Sequence, residues 1–252
     1  MPLTKRQEEL LDRIVKEYID SAVPVSSQLL DEKYSFGISP ATLRIEMQRL
    51  TDQGFLFQPH TSAGRVPTDK GYRFFVDELL EKGFPSFEEK RSSRMLEEIK
   101  KEMENSLKFA QTVSRFLADN SSNLGLSYLF KEEILWKEGW EEIFEEPEFK
   151  DIEFASRFAK MLSHFEKNIQ KLALDFPPEP QVYIGKESPV LKAGDFSIVT
   201  AKFTFPDFNC EGIFAILGPK RMNYNKNISV INLLTQLLKE NQKWKKRKKK
   251  LP

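Results

Sequence analysis

The sequence has little of the chemistry on which most enzymes and exported proteins depend. Its 252 residues include one cysteine, Cys210, and two histidines, His60 and His164. A single cysteine cannot form a disulfide within the chain, which is typical of a reducing compartment, so we expect a cytoplasmic protein. HExxH, paired CxxC and glycine-rich phosphate-loop motifs do not occur in the sequence. We therefore expect a protein that is not an enzyme and has no metal site and no cofactor.

Long apolar runs and a net charge are also missing. Apolar stretches such as 212–218 are far shorter than the about 20 residues needed to span a bilayer, so we expect no membrane partner. The first residues lead into an amphipathic pattern without an apolar signal core. Lysine and arginine (39) nearly balance aspartate and glutamate (38), and the net charge of +1 excludes a uniformly basic coat for nucleic acid.

Two runs of opposite charge are hidden in this balance. Residues 131–153 contain three cations and ten anions, whereas residues 241–252 contain seven cations and no acidic side chain. We interpret 241–252 as a solvated, disordered basic tail. The alternative is that the tail attracts phosphates without reading a base sequence.

The first 83 residues contain an ordered series of helix signals. Thr4 can cap a helix that ends at about Asp20, and Ser26 or Ser27 can cap a short second helix. Ser39 followed by Pro40 starts a third helix, which ends at Gly54. A strand at 55–58, a loop at 60–67 and a fourth helix capped by Thr68 complete the series. This order predicts a winged helix-turn-helix over 1–83, in which the third helix enters the major groove of DNA.

The third helix has two faces. Its apolar face contains Leu43, Met47 and Leu50, which we expect to be buried. Its outward face contains residues suited to base edges, because glutamine can pair with adenine, arginine with guanine or phosphate, and isoleucine with the thymine methyl group. That face and its flanks comprise Ala41, Thr42, Arg44, Ile45, Gln48, Arg49 and Asp52. The alternatives are an ordinary solvated face and a module that binds another protein.

Two runs in this region resemble the heat-inducible transcription repressor HrcA family. They are Ser39-Pro40-Ala41-Thr42-Leu43-Arg44 followed by Glu46-Met47, and the longer Gln58-Pro59-His60-Thr61-Ser62-Ala63-Gly64-Arg65-Val66-Pro67-Thr68-Asp69-Lys70-Gly71-Tyr72-Arg73-Phe74. The resemblance implies a bacterial repressor of heat-shock chaperone operons that binds an inverted-repeat operator as a homodimer and depends on a GroE-type chaperonin. The expected DNA contacts are Ser27, Gln28, Ser39, Thr42, Arg44, Ile45, Gln48, Arg49, His60, Thr61, Ser62 and Arg65.

The chain departs from the family pattern at three places. Family members commonly have asparagine where this chain has Ile45 and arginine where it has Gln28. This chain therefore lacks one polar residue of the expected base-reading face and one cation near the second helix. The family also carries a long inserted segment that contributes to dimerisation. Here residues 123–136 directly join the preceding helix to the Gly139 region, which identifies a short member of the family.

The second half is predicted to contain one long helix and a sheet domain. The helix, Ser86–Asp119 within a connecting segment 84–122, carries a possible dimerisation seam at Leu96, Ile99, Met103, Ala110, Val113 and Leu117. The alternative is that this seam packs on its own domain. Residues 123–240 contain a helix at about 149–174, strands at 181–185, 196–205 and 211–217, and a closing helix at 227–240.

Three further runs resemble the C-terminal GAF-like domain of the family. They are Val182–Pro189, Ser197–Ala201 and Gly218–Tyr224. The fold class predicted for the whole chain is therefore α+β, a winged helix-turn-helix followed by a long helix and a reduced GAF-like antiparallel sheet with flanking helices. Such a domain also suggests a ligand-sensing regulator without chaperone-operon specificity. For Lys220, Arg221 and Tyr224 we favour a role in positioning the last helix over anion binding.

Overall fold

A computed structural model describes residues 2–84, 87, 93–174, 176, 177, 179–188, 191, 194–205 and 210–248. The chain divides into two compact units, Met1–Gly83 and Phe84–Pro252. The predicted turn at 206–209 lies outside the described residues.

The first unit consists of four helices and a two-stranded antiparallel sheet. Its elements are α1 (Lys5–Ser21), α2 (Ser27–Lys33), α3 (Pro40–Asp52), β1 (Leu56–Phe57), β2 (Val66–Pro67) and α4 (Asp69–Glu81). The side chains of Thr4, Ser26, Ser39 and Thr68 each accept a hydrogen bond from a backbone N–H in the first turn of a helix. These caps confirm the predicted helix starts, because they satisfy amides that have no partner inside the helix.

The core of the first unit forms where α3 packs against α1 and α2. Leu43 and Leu50 of α3 are completely buried and Met47 is nearly so, which confirms the predicted apolar face. A polar contact joins the same helices, because Gln7 Nε2 of α1 donates to Glu46 Oε2 of α3 at 2.9 Å. The outward face of α3 is therefore fixed relative to α1 by apolar packing and by a buried hydrogen bond.

Over residues 93–119 the predicted long helix is two helices, α5 (Ser93–Glu102) and α6 (Ser106–Ser121). Residues 86 and 88–92 of that prediction lie outside the described residues. Asn105 starts α6, since its side chain accepts a hydrogen bond from the backbone N–H of Lys108. The proposed seam is buried within the single chain, with exposures from 0% to 6% at Leu96, Ile99, Met103, Ala110, Val113 and Leu117. The seam hypothesis is therefore wrong, because these side chains already pack on their own unit.

The second unit is built around a five-stranded antiparallel sheet in the order β4-β3-β7-β6-β5. Its strands are β3 (Leu124–Leu129), β4 (Ile134–Glu138), β5 (Gln181–Ile184), β6 (Phe196–Phe205) and β7 (Cys210–Pro219). The β6–β7 pairing extends over ten residues of each strand, and Thr200 faces Ala215 in the register. The β3–β4 hairpin lies where we predict a direct connection, so the sequence analysis missed it.

Helices cover both faces of this sheet. Phe158 and Phe165 of α8 (Ile152–Leu174) pack with alternate residues of β3, β6 and β7 in a large apolar core. On the opposite face α6 lies very close to β3, because a Cβ atom at Gly125 would come within 2.1 Å of the Ser114 carbonyl oxygen. Between β4 and α8 lie α7 (Trp140–Glu145) and a short 3₁₀ helix, Pro147–Lys150.

The last helix, α9 (Tyr224–Lys248), is anchored at its first residues. The Arg221 guanidinium binds Glu146 and also Glu148, the latter at 2.7 Å. The Tyr224 hydroxyl lies 2.9 Å from Ser197 Oγ and donates to the Lys220 carbonyl at 2.6 Å. These contacts support a positioning role for Arg221 and Tyr224.

The helix continues to Lys248, so the prediction of a disordered tail is wrong for residues 241–248. Residues 249–252 of that prediction lie outside the described part of the chain. Among the described helices, none is long and apolar enough to cross a membrane.

Candidate nucleic-acid interface

A groove of about 810 Å³ lies between α2, α3 and the loop that joins β1 to β2. We call it the α3 groove and define it by its lining residues. These are Ser26, Ser27, Ala41, Arg44, Ile45, Met47, Gln48, Gln58, Thr61, Ser62, Ala63, Gly64 and Arg65. Seven of the twelve predicted DNA contacts are among them, whereas Gln28, Ser39, Thr42, Arg49 and His60 do not line it.

The rim of the α3 groove presents a cation next to an apolar side chain. Arg44 is exposed, and Ile45 beside it is 54% exposed. Gln48 and Arg49 are exposed as well, so these polar residues of α3 are not covered by the interior of the unit. An exposed isoleucine next to a cation suits a surface that meets the methyl groups of thymine bases.

Arg65 has a different environment from the one we expect of a DNA contact. It is only 8% exposed, and its guanidinium points at α3. Its Nε donates to Thr51 Oγ1 at 3.0 Å and its Nη2 donates to Gln48 Oε1 at 2.7 Å. Burial, followed by the nearby charge of Arg44, lowers the pKa of Arg65. Arg65, one of the expected DNA contacts, therefore holds the loop against α3 with most of its side chain buried.

The same loop is fixed to the residues just before α2 through its backbone. Arg65 N–H donates to the Val25 carbonyl at 2.7 Å, and Val25 N–H donates to the Arg65 carbonyl at 2.9 Å. A Cβ atom at Gly64 would lie 2.4 Å from both the carbonyl carbon and the oxygen of Val25. Only glycine fits this close approach without moving backbone.

Hydrogen bonds orient the side chains on the outward face of α3. Gln48 Nε2 donates to Asp52 Oδ1 at 2.7 Å, while Gln48 Oε1 accepts from Arg65. Arg49 Nη1 lies 2.6 Å from Glu46 Oε1, and Glu46 is the carboxylate that also receives Gln7. Glu46 and Gln7 were not predicted, and their signal in the sequence is a charged residue placed on the apolar side of α3.

Several of the predicted contacts are buried or hydrogen-bonded within the first unit. Ser27 is 7% exposed. The Ser39 hydroxyl caps α3 and lies 3.1 Å from the Thr42 hydroxyl. Gln28 Nε2 donates to Glu32 Oε1 at 2.9 Å, which occupies a side chain expected to face DNA.

The tip of the β1–β2 loop is exposed but ordered by internal bonds. Gln58 Nε2 donates to the carbonyl oxygens of Thr61 and Ala63 at 2.8 and 2.9 Å. His60 Nδ1 lies 3.2 Å from Ser62 Oγ. His60, Thr61 and Ser62 are all exposed, so their polar groups are available to a partner. The described residues include no group of three or more His, Cys, Asp and Glu side chains that could hold a metal ion.

Comparison with known proteins gives a consistent result. Residues 44–228 match a family model described as the HrcA protein C terminal domain. Residues of this chain are 56% identical over 80 positions to the heat-inducible transcription repressor HrcA of Natranaerobius thermophilus, covering 32% of this chain and 23% of that protein. They are 25% identical over 341 positions to the protein of the same name from Desulfitobacterium hafniense, covering 95% of this chain and 98% of the relative.

The chain thus falls in a class whose curated relatives are named as transcription repressors. It belongs to the HrcA family. A solved structure described as a hypothetical protein at 2.2 Å resolution superposes with a TM-score of 0.71 at 20% identity, covering 94% of this chain and 97% of that one. At this identity the superposition shows the mixed helix and sheet fold alone.

The alignments also measure how the chain differs in length from its relatives. The match to the Natranaerobius protein spans about a quarter of that relative, whereas the Desulfitobacterium alignment spans nearly all of it. That alignment is 341 positions long although this chain has 252 residues, so at least 89 positions (341 − 252) have no counterpart here. The chain is a short member of its family.

Proposed function

We propose that this protein is a transcription repressor whose first unit is a winged helix-turn-helix that binds double-stranded DNA through the α3 groove. The single observation that carries the proposal is the groove itself, in which exposed residues of α3 and the β1–β2 loop line one concave surface. A recognition helix in the major groove needs an exposed, polar face held at a fixed angle. Family membership supplies the support for repression of an inverted-repeat operator upstream of chaperone genes, with the protein bound as a dimer.

Each part of the groove has its own role in this proposal. Arg44 contacts a guanine edge or a phosphate, and Ile45 contacts a thymine methyl group. The exposed polar groups of the loop contact phosphate or sugar, which positions the protein without reading the bases. Arg65 contributes indirectly, since it fixes the loop and the Gln48 amide in place before DNA arrives.

A gel-shift titration tests DNA binding. The full chain should bind a duplex with the inverted repeat from upstream of the chaperone operons more tightly than a scrambled duplex of the same composition. Arg44→Ala should weaken that binding by about tenfold or more and reduce the salt dependence by about one phosphate contact. Lys82→Ala is the matched control, because Lys82 is an exposed cation of the same unit that lines another surface. Equal affinity of the wild-type chain for both duplexes would remove the proposal.

Duplexes that contain deoxyuridine test the role of Ile45. Replacing thymine by uracil removes only the 5-methyl group, so a position read by Ile45 should bind several-fold more weakly, as expected for one lost methyl contact of about 0.8 kcal/mol. Ile45→Ala should bind the thymine and uracil duplexes alike. If Ile45→Ala still binds the uracil duplex more weakly than the thymine duplex, another residue contacts the methyl group.

The regulatory step follows the family resemblance. The bound dimer would block a promoter, and a GroE-type chaperonin would maintain the active fold until heat-unfolded clients occupy it. Purified chaperonin should therefore raise the fraction of repressor molecules that bind the duplex. A stoichiometric titration of the duplex with the protein measures this fraction. An unchanged active fraction would remove the chaperonin from the mechanism and leave DNA binding unaffected.

A further inference from the structure

A surface around α7 combines exposed aromatic rings with many carboxylates. Trp140 and Phe144, one helical turn apart, are 38% and 52% exposed, and their stacked ring centroids lie 6.0 Å apart. Ile152, shortly after α7 in the chain, is 82% exposed. Exposed apolar side chains grouped in this way commonly mark a contact with another molecule. We call residues 138–152 with their neighbours on α6 the α7 surface.

The α7 surface carries an excess of negative charge. A groove of about 340 Å³ beside Trp140 is lined by the carboxylates of Asp119, Glu138, Glu141 and Glu142 and by the cation Arg115. Burial, followed by the charge of Glu142, raises the pKa of the Asp119 carboxyl. An aromatic face beside carboxylates favours lysine and arginine side chains, which can pair with both.

The chain supplies such a partner in the basic segment 243–250, where seven of eight residues are lysine or arginine. Arg221, three residues before α9, binds Glu146 and Glu148 next to α7, so the first turn of α9 lies at the acidic end. At a rise of 1.5 Å per residue, Lys243 lies about 29 Å along the helix from Tyr224. A lysine side chain is too short to return over that distance.

We propose that the α7 surface binds the basic end of α9 from a second copy of the chain, and that two chains make this contact twice with their α9 helices antiparallel. The opposite charges lie at opposite ends of α9, so an antiparallel pair brings each basic end to an acidic end. This arrangement has two-fold symmetry and closes as a dimer. This contact takes the place of the predicted dimerisation seam on α5 and α6, whose side chains are buried within one chain. Trp140 and Phe144 supply the apolar centre of the contact. The proposal rests on the dimer of the proposed function but requires no DNA.

Charge reversal tests the contact by sedimentation velocity of the full chain without DNA. Glu141→Lys with Glu145→Lys reverses two exposed charges of α7, and Lys245→Glu with Lys246→Glu reverses two of the basic segment. Each double variant should raise the dimer dissociation constant by about tenfold or more, and the chain with all four changes should return close to the wild-type value. Glu98→Lys with Glu179→Lys is the control, since it reverses two exposed acidic residues elsewhere in the unit and should leave the dissociation constant unchanged.

Zero-length carbodiimide cross-linking of mixed ¹⁴N and ¹⁵N chains gives a second readout. Cross-links between 138–146 and 243–250 should join a light peptide to a heavy one, because the two segments belong to different chains. Light-to-light and heavy-to-heavy links alone would overturn the proposal.

The outcomes separate this proposal from the proposed function. If both charge-reversal variants remain as dimeric as the wild type, the chains pair through another surface. If the variant with all four changes does not return to the wild-type dissociation constant, the charge pairing is overturned. Weaker DNA binding without weaker dimerisation in Lys245→Glu with Lys246→Glu would assign the basic segment to DNA phosphates and overturn the proposal too. A monomeric wild-type chain would remove both this contact and the proposed dimer, while the gel shift still reports DNA binding independently.

Discussion

The first unit and the second unit use different kinds of contact to fix their functional surfaces. In the first unit, short polar connections such as Gln7–Glu46 and Arg65–Gln48 orient α3 and the β1–β2 loop. In the second unit, a five-stranded sheet is covered by helices on both faces, and its core is rich in phenylalanine. We therefore expect the arrangement of the α3 groove to be sensitive to the loss of single hydrogen bonds, whereas the second unit should respond mainly to lost apolar volume.

The largest expected effect is a cavity in the second unit. Phe165 is completely buried, so Phe165→Ala should lower the free energy of unfolding by about 3–5 kcal/mol. Trp136, Trp140 and Trp244 all lie in the second unit, so tryptophan fluorescence during guanidinium denaturation reports on this unit. Phe144→Ala, at a half-exposed position, should cost much less. Equal losses of unfolding free energy for Phe165→Ala and Phe144→Ala would contradict the expectation that the second unit depends mainly on buried apolar volume.

The next effect concerns the connection between the loop and α3. Arg65→Met should cost about 2–3 kcal/mol of local stability, because a charged donor is lost and its partners Gln48 and Thr51 lose their hydrogen bonds. Hydrogen exchange followed by mass spectrometry should show faster exchange in 44–67. Arg44→Met should leave this exchange unchanged although it weakens DNA binding. If both variants exchange like the wild type, Arg65 has no positioning role.

A smaller effect depends on pH. Burial acts to raise the pKa of the Glu17 carboxyl, but hydrogen bonds from Lys33 and Tyr34 outweigh it, so the pKa is lowered. A lowered pKa in the folded state stabilises the fold above the unfolded pKa of about 4.5, and this stability is lost as the pH falls through the folded value. Glu17→Gln should cost about 1 kcal/mol at pH 7 in urea denaturation, and this cost should shrink as the pH is lowered below 4.5. A cost that stays constant with pH would contradict this assignment.

The smallest expected effect concerns the chemical reactivity of the Cys210 thiol, not the stability of the fold. Cys210 is 3% exposed, and burial, followed by Glu132, raises the pKa of its thiol to about 11. Because the thiolate is the reacting form, the native chain should react very slowly with Ellman's reagent at pH 8 and fully in guanidinium. Rapid labelling of the native chain would show that this edge of the β6–β7 pair opens easily.

Local signals predicted much of the first unit and less of the second. Helix starts at Thr4, Ser39 and Thr68 were readable because a cap acts within three residues of its own position. The β3–β4 hairpin was missed. Of its two strands only β3 is fixed by a further partner, β7, which lies more than 80 residues later in the chain. The break between α5 and α6 rests on Asn105, a single cap inside an otherwise continuous helical pattern.

The candidate site was predicted as a set of residues but not as an arrangement. The sequence indicates that Arg44, Ile45 and Gln48 face outward, and the structure confirms that they are exposed. The sequence contains no sign that Arg65 points inward, because its orientation depends on how closely the β1–β2 loop approaches Val25 in the folded unit. The predicted set of polar residues therefore contains two kinds of side chain. Some are exposed and available to a partner, whereas others are buried and hold the α3 groove in shape.

The bond between Arg65 and Gln48 links two positions that lie 17 residues apart. Under the function proposed above, position 48 is the natural place to alter the base preference of this surface. A replacement that cannot accept a hydrogen bond from the Arg65 guanidinium leaves a buried cation without one of its partners. We therefore expect paired changes at positions 48 and 65 to retain more of the local stability than changes at position 48 alone.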